Sequence, residues 1–70
     1  MKRNLTETEQ KVYNTIVIDK CLKRKDIAEK MGLTVNAISF HLTNIYTKLL
    51  LKRNSVANIL IDYEERQKNG

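Results

Sequence analysis

Residues 26–49, DIAEKMGLTVNAISFHLTNIYTKL, decide the fold. Ile27, Ala28 and Met31 fall at helical spacing and give a first helix an apolar face. Gly32 ends that helix, because glycine reaches the left-handed backbone conformation of a sharp exit. Leu33 follows as an apolar plug. Thr34 is an N-cap for the next helix, since its hydroxyl can accept from a free backbone N–H of the first turn. Ile38, Leu42, Ile45 and Leu49 then form one buried stripe on a helix of about four turns. A small residue at 28, a turn glycine at 32 and an apolar residue at 38 have the spacing of a helix-turn-helix.

The face opposite that stripe bears on function. With each residue turned by about 100°, Asn36, Ser39, Phe40, Thr43 and Thr47 point away from Ile38, Leu42 and Ile45. None of them is acidic. Amides and hydroxyls can bond base edges in a major groove, and an exposed aromatic can meet the thymine methyl. The alternative is a merely solvated face, but such faces usually carry Glu/Lys pairs and this one has none.

Working outward, the 70 residues make one small domain, 1–70, with no room for a separate sensor. An apolar content of 41% suits a helical core, though a thin one, and domains this small often gain stability by oligomerising. The 13 basic and 8 acidic side chains give +5. That charge is uneven: residues 1–53 carry +6 and residues 54–70 carry −1. A polyanion therefore suits the body and not the tail helix. No apolar run approaches the roughly 20 residues of a membrane span, and the start MKRNLTETEQ lacks a signal-peptide core. With one cysteine, Cys21, no internal disulfide can form; a packed or loop thiol in the cytoplasm is expected. One histidine, one cysteine and no Gly-rich phosphate loop leave no catalytic constellation, metal site or cofactor to expect.

Upstream, residues 1–4 read as a basic arm that is either a solvated tail or a phosphate contact. Thr6 to Glu9 reads as a capping box with Leu5 as its staple, opening a helix to about Ile18 whose buried face is Val12, Tyr13, Ile16 and Val17. The connection 19–25, DKCLKRK, has no glycine or proline to mark its ends, and Leu22 is expected to tuck under the second helix. Lys23, Arg24 and Lys25 gather at that helix's N-terminus, where the dipole disfavours cations. Cations and free N–H groups together make an anion site, so these three are read as phosphate clamps. Downstream, Leu50 to Arg53 connect to a last helix from Val56 to about Arg66, capped by Asn54 or Ser55. Ala57, Leu60 and Ile61 can cover the domain. Val56, Ile59 and Tyr63 form a second stripe whose natural use is helix-to-helix dimerisation. The expected dimer residues are thus Val56, Ile59, Leu60 and Tyr63.

With these residues in hand, the chain resembles the LuxR/GerE-type DNA-binding domain of bacterial transcription regulators. The resemblance covers about residues 5–61 and rests on Leu5-Thr6 with Glu9, Lys25 to Ala28, Met31, Leu33-Thr34, Ile38, Lys48-Leu49 and Ala57. Its most specific part is the run His41-Leu42-x-Asn44-Ile45-Tyr46-x-Lys48-Leu49. It implies an all-α, four-helix fold in which the third helix reads the major groove and the fourth makes the dimer, as in the short stand-alone members. Carried over by position, Ser39, Phe40 and Thr43 are base-reading, and Thr34, Asn36, Ala37, Asn44 and Lys48 approach the DNA backbone. Five departures stand out. Ser39 and Ala37 replace the family's basic residue and threonine. The first connection is about two residues longer, with Cys21 to Arg24 in place of Gly-Leu-Ser-Asn. Leu50 stands where the family has glycine. Asn54 stands at the usual arginine, with Arg53 one place earlier.

The expected function is that of a homodimeric, sequence-specific transcription regulator of bacterial or phage origin. It would contact double-stranded DNA bases through Ser39, Phe40, Thr43 and Asn36, and phosphates through Lys23, Arg24, Lys25, Thr34, Asn44 and Lys48. The alternative is a protein-binding adaptor that uses the same fold on RNA polymerase or another regulator. No membrane partner is expected.

Overall fold

The computed structural model describes residues 5–51 and 55–69, and these form four helices and no strand. Helix α1 is Glu7–Asp19, α2 Arg24–Met31, α3 Val35–Leu49 and α4 Val56–Asn69. The basic arm at 1–4, Lys52, Arg53 and the possible cap Asn54 lie outside the described residues.

Each helix start has a local cause. The Thr6 hydroxyl accepts from Glu9 N–H at 3.2 Å and the Glu9 carboxylate accepts from Thr6 N–H at 3.0 Å, completing the capping box. The Thr34 hydroxyl accepts from Ala37 N–H at 3.1 Å and opens α3. Ser55 caps α4, its hydroxyl accepting from Asn58 N–H at 3.2 Å. Only α2 starts without a side-chain cap, on Lys23. It also starts earlier than expected, so Arg24 and Lys25 belong to its first turn.

The exits are left-handed. Gly32 closes α2 at φ 69°, with its N–H reaching back to the Ala28 and Glu29 carbonyls. Lys20 at φ 59° and Leu50 at φ 55° do the same for α1 and α3, without glycine. The first connection lacked an end marker in sequence because a lysine fills that role.

The core joins Val12, Tyr13, Ile16 and Val17 of α1 to Ile27 and Ala28 of α2 and to Ile38, Leu42, Ile45, Tyr46 and Leu49 of α3. Cys21, Val56 and Ile59 complete it, and α1 packs against all three other helices. Two loop expectations fail: Leu22 is 46% exposed and Leu33 is 37% exposed, and the buried side chain of the first connection is Cys21. The face of α4 is also the reverse of that expected. Val56 and Ile59 are buried inside the subunit, and Leu60 and Tyr63 are half-buried against its core. Tyr63 sets its ring edge-on to Tyr13, with centroids 6.3 Å apart. Ala57 and Ile61 are the exposed ones. The reason is the thin core: three helices leave one side of α1 open, and the most apolar side of α4 closes it.

No helix is long and apolar enough to cross a membrane among the described residues.

Candidate nucleic-acid interface

The third helix is held from both sides. Its stripe of Ile38, Leu42 and Ile45 is fully buried, which fixes its rotation about its own axis. On one flank, Lys48 Nζ donates to Glu9 Oε1 of α1 at 2.6 Å. Glu9 is almost wholly buried, so this pair ties the last turn of the third helix to the first turn of α1. Burial pushes the Glu9 carboxyl up, but the Lys48 hydrogen bond, those from Thr6 and the lysine charge outweigh it and hold the group below its ordinary range. Lys48, expected at a phosphate, thus points its amine inward. Sequence reading gave Glu9 its capping-box role with Thr6 but not its pairing with Lys48. Its signal was the spacing to Thr6, but its long-range partner lies 39 residues away.

What remains outward is an acid-free surface. Phe40 is 65% exposed and meets the His41 ring edge-on at 5.7 Å between centroids. Asn36 is exposed and Ser39 half-exposed, and neither side chain makes a hydrogen bond among the described residues. Thr43 and Thr47 are exposed, but each hydroxyl donates to the carbonyl one turn back, Ser39 at 3.0 Å and Thr43 at 3.1 Å. The structure therefore brings Asn36, Ser39, Phe40 and Thr43 onto one face, as expected. Asn44 lies half-buried. Thr34 keeps its O–H hydrogen free to donate while its oxygen caps the helix.

Some basic side chains of the described residues are paired and others, Lys11 and Lys68 among them, are not. Lys20, Lys30, Lys48 and Arg66 pair with Glu64, Asp19, Glu9 and Asp62. Lys23, Arg24 and Lys25 are exposed and form no ion pair among the described residues. They stand at the uncapped start of α2, and the Tyr46 hydroxyl of α3 is buried. Burial pushes the Tyr46 phenol up, and the charge of Arg24 and a hydrogen bond with its side chain pull it partly back. No group of three or more His, Cys, Asp or Glu side chains is placed to hold a metal among the described residues.

The expected dimer residues do not share an exposed surface. On α4 the exposed apolar positions are Ala57 and Ile61, one turn apart. Leu50, 65% exposed, lines a groove with Ile61, Leu51, Asn58, Asp62 and Glu65.

The family model GerE, described as bacterial regulatory proteins of the luxR family, matches residues 3–61. No curated protein and no solved structure gives a significant match. The family match covers most of a chain whose third helix is fixed by a buried stripe, and it leads to one conclusion: the chain belongs to the luxR family of bacterial regulatory proteins, built on a DNA-binding helix-turn-helix.

Proposed function

We propose that the chain is a sequence-specific regulator of transcription that binds duplex DNA as a homodimer, with α3 in the major groove. The observation that carries this is the outward face of α3, where four uncharged side chains and one bare aromatic stand on a helix whose rotation is fixed by a fully buried stripe. Asn36, Ser39 and Thr43 supply hydrogen-bonding groups for base edges, and Phe40 supplies an apolar contact for the thymine methyl. Lys23, Arg24 and Lys25, with Thr34 and Asn44, hold phosphates and set the register without reading sequence. Lys48 is left out of that set because Glu9 holds it.

Dimerisation runs through the exposed side of α4. Ala57 and Ile61, with Leu50 beside them, make the contact; Val56 and Ile59 cannot, because the subunit's own core covers them. Two subunits then read half-sites about one helical turn apart.

The test is recovery and sequencing of genomic fragments bound by the purified protein at two salt concentrations. A shared motif with two-fold symmetry supports the reading. Fragments without a motif, lost entirely at the higher salt, refute base reading and leave charge alone. Protein that captures no duplex at either salt favours an adaptor acting on another regulator or on RNA polymerase.

A further inference from the structure

The crossing of α1 and α4 leaves a cleft that neither the reading face nor the dimer contact uses. Tyr13 of α1 and Tyr63 of α4 meet edge-on there, with centroids 6.3 Å apart. Beside that pair the two helices enclose a cleft of about 410 Å³, open on one side. Clefts of roughly 300–1,000 Å³ are of the size that takes a small organic molecule. Every residue lining it belongs to α1 or α4, and none of them lines the groove beside Leu50.

The lining has a chemistry of its own. Ile18 is 67% exposed, the highest value among the exposed large apolar side chains of the described residues. A bare isoleucine beside aromatic walls gains from an apolar cover. Gln10 and Asn14, one turn apart on the same wall, are joined by a 3.0 Å hydrogen bond from Gln10 Nε2 to Asn14 Oδ1. Arg66 is the one charged side chain of the lining. Its Nε donates to Asp62 Oδ2 at 2.8 Å, while its two terminal amino groups have no partner among the described residues. A guanidinium held by one edge is oriented and still has four N–H donors to give, in the fork geometry that suits a carboxylate. No carboxylate lines this cleft, whereas Asp62 and Glu65 line the groove beside Leu50 and would repel an anion there. Along α1, the exposed Glu7 and Lys11 offset each other in charge.

The shape favours a small molecule over a protein segment. A helix that docks in a groove needs apolar anchors at i, i+3, i+4 and i+7. The α1 wall from Gln10 to Ile18 is about 12 Å long and bares one apolar side chain. An added strand needs free backbone groups, and the interior of two helices offers none.

We propose that the cleft between α1 and α4 binds a small organic monocarboxylate with an aromatic body. The terminal amino groups of Arg66 hold the carboxylate, and the ring covers Ile18 and the half-buried ring of Tyr63.

The experiment titrates the isotope-labelled full chain with benzoate, phenylacetate and indole-3-acetate, with the neutral amide of each, and with acetate, while the backbone amide resonances are followed. For ligands of this size, binding in the millimolar range is expected, with saturable shifts at Asn14, Ile18 and Gln67. The neutral amides bind about tenfold more weakly, the worth of a charge-assisted hydrogen bond, and acetate does not saturate. Arg66→Gln abolishes the preference for acid over amide. Ile18→Ser weakens the aromatic acids and keeps the preference. Both side chains are exposed, so both variants should fold, and a thermal melt checks it. Should Arg66→Gln unfold, the comparison of acid with amide on the wild type still decides. No saturable shift at the cleft with any of the three aromatic acids overturns the proposal. So does equal binding of acid and amide, binding of acetate as tight as that of the aromatic acids, or shifts centred instead on Lys23 to Lys25 or on the groove beside Leu50.

Discussion

Replacing Lys48 by methionine keeps the length of the side chain and removes its charge. Glu9 would then be a nearly buried carboxylate with only its Thr6 partner left. Removing one member of a buried ion pair costs about 3–5 kcal/mol. The Lys48 side chain is 29% exposed, so water can take part of its place and the cost falls below that range, to about 2–3 kcal/mol. For a domain of this size each kcal/mol moves the midpoint by about 4–8 °C, so a fall of roughly 10–20 °C is expected in a circular-dichroism melt at pH 7. The pH dependence gives the sharper test. In the wild type the Glu9 carboxyl is held below its ordinary value, so its contribution is present above the unfolded pKa and lost as pH falls through the folded one. Without Lys48 the burial effect dominates, and the variant is least stable, relative to wild type, near neutrality. The difference in midpoint should therefore narrow toward pH 4. A fall under about 3 °C at pH 7, or a difference independent of pH, would refute the reasoning. If Lys48 were instead a phosphate ligand, the variant would stay stable and lose about one unit of salt slope.

Phe40→Ala should weaken a thymine-containing site selectively, by roughly 1–3 kcal/mol, and leave random duplex unaffected in an anisotropy titration; equal loss on both would exclude base reading. Replacing Lys23, Arg24 and Lys25 together by glutamine should weaken all duplexes alike and flatten the salt slope by about 2–3. In the Ile61→Asp background, where no dimer contact is at stake, Leu50→Gly should raise the melting midpoint by a few degrees, because it relieves a left-handed backbone costing about 1 kcal/mol and gives up a side chain that is mostly in water in the subunit. In sedimentation, Ile61→Asp should give a folded monomer, whereas Ile59→Ala should cost about 2–5 kcal/mol of stability whatever the association state.

Much of this arrangement was legible locally. The capping box at Thr6, the exit at Gly32, the cap at Thr34 and the stripe from Ile38 to Leu49 all rest on contacts within a few residues, and all stand in the structure. The outward face followed, because a helix with one fixed buried side has only one side left. What could not be read depended on neighbours distant in the chain. The helix α4 has two apolar stripes, and which one turns inward is set by the opening beside Tyr13, not by α4 itself. The Glu9–Lys48 pair and the approach of Arg24 to Tyr46 join different helices, and no periodicity announces them. Leu22, expected inside, turns outward while Cys21 packs inward, next to a Lys20 that turns left-handed, a conformation a lysine seldom signals.

The internal bonds of Thr43 and Thr47 have a consequence for the alphabet this face can distinguish. A hydroxyl whose hydrogen is already committed to a carbonyl is a one-way group: it accepts and does not donate. In a groove such a threonine welcomes the amino group of adenine or cytosine and turns away the bare oxygen of thymine or guanine. Asn36 keeps both polarities, and Phe40 has none. One A·T pair shows an amino group on one strand and a methyl on the other, within reach of a one-way acceptor and an aromatic one residue short of a helical turn apart. With α3 in a major groove as proposed, the surface would lean toward such pairs, and the bend of a single hydroxyl toward its own helix would set that leaning.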